Sequence, residues 1–118
     1  MREPPAIEGF GGGGFRVAGA WRPGSLLIVG DVPQDWRPAS LAAVTLDDLR
    51  PVLDAPPGSI EFLLLGTGLS QALPPRLLRE AVRGAGLGLE FMATGPAAKL
   101  HNVLASEGRL LATALIAV

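Results

Sequence analysis

The chain has 118 residues, the length of one ordinary domain, and 48% of them are hydrophobic against 18% charged, which excludes a disordered chain and argues against two domains. Ten basic and eleven acidic residues give a formal net charge of -1, so no overall field attracts nucleic acid or anionic lipid. The absence of cysteine excludes disulfides, thiolate nucleophiles and zinc–thiolate sites, and a single histidine leaves few groups for acid–base chemistry.

The N-terminal half predicts a β-hairpin that follows a loose tail over residues 1–8. Phe15 to Gly19 and Ser25 to Val29 are short apolar runs, and Trp21-Arg22-Pro23-Gly24 between them is typical of a turn. Asp31 to Pro38 is expected to be irregular, because two prolines interrupt it.

The remaining chain predicts helices that alternate with strands. Thr45-Leu46-Asp47-Asp48 is typical of a helix start, and Pro51 predicts that this helix is short or kinked and ends near Leu53. Pro74-Pro75 and Thr94-Gly95-Pro96 each open a further helix, the first with a predicted apolar face of Leu77, Leu78, Ala81 and Val82. Strands are expected over Ile60 to Leu65, Leu87 to Met92 and Leu110 to Ile116.

This order of elements predicts a single α/β domain over residues 1–118. Strands that alternate with amphipathic helices imply parallel crossovers and a sheet covered by helices. We therefore expect a three-layer α/β fold with a mixed, mostly parallel central sheet, helices packed against it and a lead β-hairpin.

The run Gly9-Phe10-Gly11-Gly12-Gly13-Gly14 matches the dinucleotide-binding pattern G-x-G-x-x-G. That motif functions where a strand precedes it and a helix follows, whereas here a proline-rich tail precedes it and a strand follows. We therefore interpret the run as a pliable turn whose glycines allow positive φ.

Glycine and hydroxyl residues follow two of the predicted strands, and in open parallel sheets ligands bind beyond the carboxyl ends of the strands. Amides at two helix starts would add donors for an anion or carboxylate. Two interpretations stay open: these residues cap helices and turn the chain, or they form a small ligand pocket. The candidate pocket consists of Gly66, Thr67, Gly68, Ser70, Thr94 and Lys99.

The remaining side chains predict no catalytic residue, metal site or cofactor. A buried, hydrogen-bonded role is favoured for His101 over catalysis, because it shares a helix face with Ala97 and Leu104. The carboxylates are scattered and form no metal triad. Trp21 and Trp36 form either a partner surface or a lid over one face of the sheet.

Several short motifs occur in a distinctive order: Gly9-Phe10-Gly11, Gly14-Phe15-Arg16-Val17, Gly24-Ser25-Leu26-Leu27-Ile28, Trp36, Leu63-Leu64-Leu65-Gly66-Thr67-Gly68, Gly88-Leu89-Glu90-Phe91-Met92-Ala93-Thr94, Ala97-Ala98, Asn102-Val103-Leu104 and Glu107-Gly108-Arg109. From about Ile7 to Val118 the chain resembles the Mth938-like family of unknown function, which includes mitochondrial respiratory complex I assembly factor 3 and an adipogenesis-associated domain protein. The resemblance implies a three-layer α/β fold with a mixed central sheet and no catalytic residue that can be transferred. Where family members commonly carry an arginine and an aromatic residue, this chain has Lys99 and His101, so an imidazole fills the aromatic position and departs from the family pattern there.

The resemblance implies a non-enzymatic protein-binding or assembly module related to the assembly of respiratory complex I. In a bacterium this would be a cytoplasmic protein that meets membrane-protein partners without inserting, and no nucleic-acid partner is expected. The longest uncharged run, Phe62 to Pro75, is broken by glycine and proline and falls short of the about 20 residues of a membrane span. The alternative function is anion or carboxylate binding, or weak enzymatic activity, at the loops of Gly66 to Gly68 and Thr94. The oligomeric state stays open.

Overall fold

A computed structural model describes residues 2–118, which contain a three-stranded and a five-stranded β-sheet together with three α-helices. The smaller sheet is an antiparallel meander of β1 (Ile7–Gly11), β2 (Gly14–Val17) and β3 (Ala20–Pro23). Two-residue turns, Gly12-Gly13 and Ala18-Gly19, connect its strands. All four turn residues have positive φ, as a type I′ turn requires.

The larger sheet contains β4 (Ser25–Val29), β5 (Val32–Trp36), β6 (Phe62–Gly66), β7 (Gly88–Met92) and β8 (Leu111–Leu115), in the spatial order β5-β4-β8-β6-β7. β4 runs antiparallel to β5 and β8, whereas β6 runs parallel to β7 and β8. The sheet is mixed, as predicted, but it has as many antiparallel as parallel ladders and is not mostly parallel.

Helices lie on both faces of this sheet. They are α1 (Arg50–Leu53), which follows 3-10 turns at Leu41–Ala43 and Asp47–Leu49, α2 (Arg76–Gly84) and α3 (Thr94–Ser106). Leu63 and Leu65 of β6 point toward Leu78 and Val82 of α2, and the alternate residues of β6 point toward α3. The three-stranded sheet shares the α3 face, so the predicted three layers are matched in part.

The predicted lead hairpin is wrong in its pairing. Its two expected strands, now β2 and β4, lie in different sheets, because Ala18-Gly19 turns the chain before Trp21 is reached. The expected turn at Trp21 to Gly24 is β3 followed by a junction at Gly24, where a φ of 85° redirects the chain into the larger sheet. The segment expected to be irregular forms β5, an edge strand, where proline is tolerated.

Residues 2–8 are anchored in the structure and do not form the expected loose tail, whose first residue lies outside the described residues. Ile7 begins β1 and is buried, and its N–H and C=O bond the Asn102 side chain at 2.8 and 2.7 Å. The Arg2 guanidinium pairs with the Asp31 carboxylate and donates to the Gly108 carbonyl at 3.1 Å. These bonds hold the segment across α3.

Candidate functional site

The loops that follow β6 and β7 meet, as the strand order of a parallel ladder predicts. The Gly68 N–H donates to Thr94 Oγ1 at 3.0 Å, and the Thr94 hydroxyl donates to the Ile116 carbonyl at 2.7 Å. A Cβ on Gly66 would lie 3.0 Å from Thr94 Oγ1 and 3.1 Å from Thr94 Cα, so the close approach of the two loops favours glycine there. Thr94 is fully buried and connects three segments.

Thr67 joins main-chain groups within its own loop and to the end of β7. Its hydroxyl donates to the Ser70 carbonyl at 2.7 Å and accepts the Ala72 N–H at 3.2 Å, and its N–H donates to the Met92 carbonyl at 2.8 Å. Thr67 is only 6% exposed. Both threonine hydroxyls are therefore satisfied by main-chain groups without a ligand.

The start of α3 offers few donors to an anion. The Thr94 N–H donates to the Gly68 carbonyl at 2.8 Å, and Pro96 has no N–H. A Cβ on Gly95 would lie 3.1 Å from Cζ of Phe10, so the Phe10 ring lies against this turn of the helix. At this helix start the Thr94 amide is therefore occupied, and Pro96 contributes none.

The structure brings together four of the predicted pocket residues, Gly66, Thr67, Gly68 and Thr94. The side chains of Ser70 and Lys99 are exposed. Within residues 2–118, neither side chain hydrogen-bonds to either threonine. The bonds of the assembled residues fit the interpretation in which they turn and join the chain, and ligand binding at these loops stays a prediction.

His101 is buried and hydrogen-bonded, the role that the sequence favoured. Its Nε2 lies 2.9 Å from the Pro5 carbonyl, and its Nδ1 lies 2.7 Å from Thr113 Oγ1. Because a carbonyl can only accept, Nε2 carries the proton, and in the neutral ring Nδ1 accepts from the Thr113 hydroxyl. Burial lowers the pKa of His101, and the Pro5 hydrogen bond and the Asp31 charge oppose this shift. A neutral imidazole with both nitrogens bonded joins α3, β8 and the N-terminal segment.

The two tryptophans have different environments. Trp36 is 6% exposed, and its indole N–H donates to the Asp48 carbonyl at 2.9 Å. The prediction of a partner surface is therefore wrong for Trp36, because a buried ring cannot contact a partner. Trp21 is 49% exposed and remains a candidate contact residue.

Asp48 is the carboxylate with the most perturbed environment. The Arg37 guanidinium contacts both of its oxygens, at 2.9 and 2.7 Å, and the Thr45 N–H donates to Oδ2 at 2.8 Å. The hydrogen-bonded Arg37 is the main cause that lowers the pKa of Asp48 to about 2, although partial burial opposes the shift. This cluster fixes the segment before α1. Nowhere in residues 2–118 do three histidine, aspartate or glutamate side chains come together as metal ligands.

An exposed apolar segment is the feature that sequence reasoning missed. Leu69, Leu73 and Leu77 are 88%, 63% and 63% exposed, although Leu77 was expected on the buried face of α2. Their spacing of four residues was visible in the sequence as a signal. Leu73 also lines a groove of about 340 Å³ beside Phe91 of β7. Exposed apolar side chains that recur within one segment are typical of a contact surface.

No helix within residues 2–118 combines the length and apolar character needed to cross a membrane.

Comparison with known proteins places the chain in a family. The model of a family described as "Protein of unknown function (DUF498/DUF598)" matches residues 7–116. An uncharacterised protein of Rhodobacter capsulatus is 38% identical over 110 residues, which cover 93% of this chain and 82% of the relative.

Solved structures have the same fold. The crystal structure of an outer membrane protein from Bartonella henselae superposes with a TM-score of 0.91 at 31% identity, covering 98% of this chain and 96% of that chain. The solution structure of a Mth938-like domain from Bordetella pertussis superposes with a TM-score of 0.77 at 22% identity, covering 98% and 89%. At that identity the second likeness concerns the fold alone.

Proposed function

The chain belongs to the DUF498/DUF598 family of proteins of unknown function, and from that premise we propose that it acts as a non-enzymatic protein-binding module. The observation that carries this proposal is the exposure of Leu69, Leu73 and Leu77 within one short segment. Leaving a leucine in water forgoes about 1.5–3 kcal/mol relative to burying it, so a partner that covers these side chains gains directly from the contact. We call these three residues the leucine segment.

The polar groups in the neighbouring loops support binding over catalysis. The Thr67 and Thr94 hydroxyls are engaged with main-chain groups, and His101 is enclosed by Pro5 and Thr113. A catalytic nucleophile or base needs an atom that can reach a substrate, and these three side chains are turned inward.

We further propose the kind of partner that the chain binds. The likeness to the Mth938-like family, with its complex I assembly member, suggests subunits of a respiratory complex, which a cytoplasmic bacterial protein would meet at the membrane surface. The Bartonella relative is described as an outer membrane protein, and from it we extend to this chain only the idea of a membrane-associated partner. Trp21 is the second exposed contact residue in this proposal.

Affinity capture with matched variants tests the function. The tagged chain is compared with a variant in which Leu69, Leu73 and Leu77 are all replaced by serine, and with a control that carries Val103→Ser on α3, where Val103 is 53% exposed. We expect partner proteins that the wild type and the control retain and the leucine variant loses. Identical protein recovery from all three, or a bound metabolite that Thr67→Val releases, would contradict the proposal and favour the ligand pocket.

A further inference from the structure

We propose that the outer edge of β7 binds an extended segment of a partner protein as an added strand, and that this segment carries acidic side chains on one face and basic side chains on the other. The inference rests on the proposed protein-binding function and specifies its mode of docking. It is carried by the main-chain groups of β7 and by two grooves of opposite charge, one on each face of the sheet: the first lies along β7, and the second extends from β7 over β6.

The main chain of β7 leaves one edge open. The Gly88 N–H donates to the Glu61 carbonyl at 3.0 Å, and the Met92 carbonyl accepts the Thr67 N–H at 2.8 Å, so these residues of β7 bond toward β6. Because alternate residues of a strand direct their main-chain groups to opposite sides, the N–H and C=O groups of Leu89 and Phe91 point outward. β7 is the last strand of the sheet within residues 2–118. The edge therefore offers four main-chain groups to an added strand.

On the α2 side of β7 lies the groove of about 340 Å³, with an apolar wall of Leu73, Leu89 and Phe91. None of its lining residues belongs to β6, so the groove lies along the outer edge of the strand. Arg79 and Arg83 contribute two positive charges, and neither forms an ion pair within the described part of the chain. Acidic and apolar side chains of an added strand fit this side.

On the α3 side lies a groove of about 450 Å³, lined by Phe62 and two leucines of α3. Glu61 and Glu90 line it, are exposed, and form no ion pair with any residue from 2 to 118. Among the described residues, Arg109 is the one cation that lines it, and its guanidinium lies 5.2 Å from the centroid of the Phe62 ring. Gly88 has no side chain on this side, and a Cβ there would lie 3.1 Å from Cβ of the buried Phe62. Basic and apolar side chains fit here.

The same charges disfavour a second copy of this chain as the occupant. A closed dimer through one edge pairs the two β7 strands antiparallel about a two-fold axis perpendicular to the sheet. Arg79 and Arg83 of both copies would then share one side, and Glu90 of each copy would lie on the other. Like charges at both grooves oppose this pairing, whereas a segment with opposite charges on its two faces satisfies both.

Two peptides of identical composition probe the edge. In the first, glutamate and leucine alternate with lysine and valine, so that one face is acidic and the other basic. In the second, some glutamates exchange places with the neighbouring lysines, so that each face carries both charges. Calorimetric titration of the full chain should show binding of the first peptide at submillimolar Kd and an affinity for the second weaker by about tenfold.

Variants of β7 separate main-chain docking from other contacts. Leu89→Pro removes an outward N–H that the fold does not use, and Leu89→Ala is the matched control that shortens the side chain and keeps the N–H. We expect Leu89→Pro to abolish binding of the first peptide and Leu89→Ala to weaken it by less than tenfold. Arg83→Glu should also weaken binding of the first peptide relative to the wild type.

Three results would overturn the inference. They are no binding of the first peptide up to about 1 mM, equal affinity for both peptides, or a dimer in light scattering that Leu89→Pro dissociates. The inference and the proposed function fail separately. If the leucine segment variant loses a captured partner that Leu89→Pro retains, protein binding stands and docking at β7 is wrong.

Discussion

The hydroxyl of Thr94 offers a quantitative test of the loops that follow β6 and β7. Thr94→Val preserves the shape of the side chain and removes the oxygen that donates to the Ile116 carbonyl and accepts the Gly68 N–H. Thr94 and Ile116 are buried, so water cannot replace the bond to the Ile116 carbonyl, whereas Gly68 is half-buried. The orphaned Ile116 carbonyl costs about 1–3 kcal/mol and the lost bond to the half-buried Gly68 N–H about 1 kcal/mol, so the free energy of unfolding should fall by about 2–4 kcal/mol.

Urea unfolding measures this loss, with the fluorescence of the buried Trp36 as the signal. At an m value of about 2 kcal/mol/M, the middle of the range for small domains, the midpoint should fall by about 1–2 M while the slope stays constant. Ser70→Ala is the matched control, because it removes an exposed hydroxyl of the same loop, and it should change stability by less than about 0.5 kcal/mol.

The structural and ligand-binding interpretations predict opposite results for Thr94→Val. If the hydroxyl mainly serves a bound anion, the apo midpoint stays where it is in the wild type, and a stabilisation by added phosphate or carboxylates disappears. An unchanged midpoint would therefore refute the reasoning from buried hydrogen bonds and restore the pocket as the leading interpretation of these loops.

Three further predictions concern other hydrogen-bonded side chains in the fold. Because burial lowers the pKa of His101, the unfolded chain binds a proton near pH 6.5 that the folded chain does not bind. The free energy of unfolding should therefore fall below that pH by at most about 1.36 kcal/mol per pH unit, and His101→Gln should remove this pH dependence in urea titrations. Asp48→Asn should lower the free energy of unfolding by about 1 kcal/mol at neutral pH, since Arg37 is largely exposed. The variant should also lack the loss of stability that the wild type shows between about pH 4 and 2, and an unchanged loss in this pH range would contradict the prediction. Asn102→Ala should speed amide exchange at Ile7, and unchanged exchange would contradict the anchoring of the N-terminal segment.

Much of the secondary structure of the C-terminal half can be predicted from the sequence, because the helix and strand signals there are local. The all-apolar run that contains β6 predicts a strand buried on both faces, and it forms the middle of the parallel ladders. The start and end of α3 follow from Thr94 and Gly108, which flank an uninterrupted helical pattern. The antiparallel addition of β4 to β8 joins residues far apart in the chain, and no local pattern encodes it.

The N-terminal half shows where local reasoning fails. Ala18-Gly19 is a weak turn signal compared with Pro23-Gly24, yet positive φ at both residues makes it the hairpin turn. Among the candidate site residues, the parallel-strand rule correctly brings Gly68 and Thr94 together. The rule does not reveal that a main-chain group already accepts the bond from the Thr94 hydroxyl, because that group belongs to Ile116, which follows β8 and is distant in sequence.

Hydrogen exchange at the outer edge of β7 tests the account most directly. The amides of Leu89 and Phe91 point outward and should exchange fast in the free protein, and a captured partner should protect both while leaving Gly68 and Thr94 unchanged. Protection at Leu89 and Phe91 is the predicted result. Unchanged exchange at both residues in a saturated complex, with altered exchange at Gly68 and Thr94 instead, would contradict docking at this edge and relocate the functional site to the threonine loops.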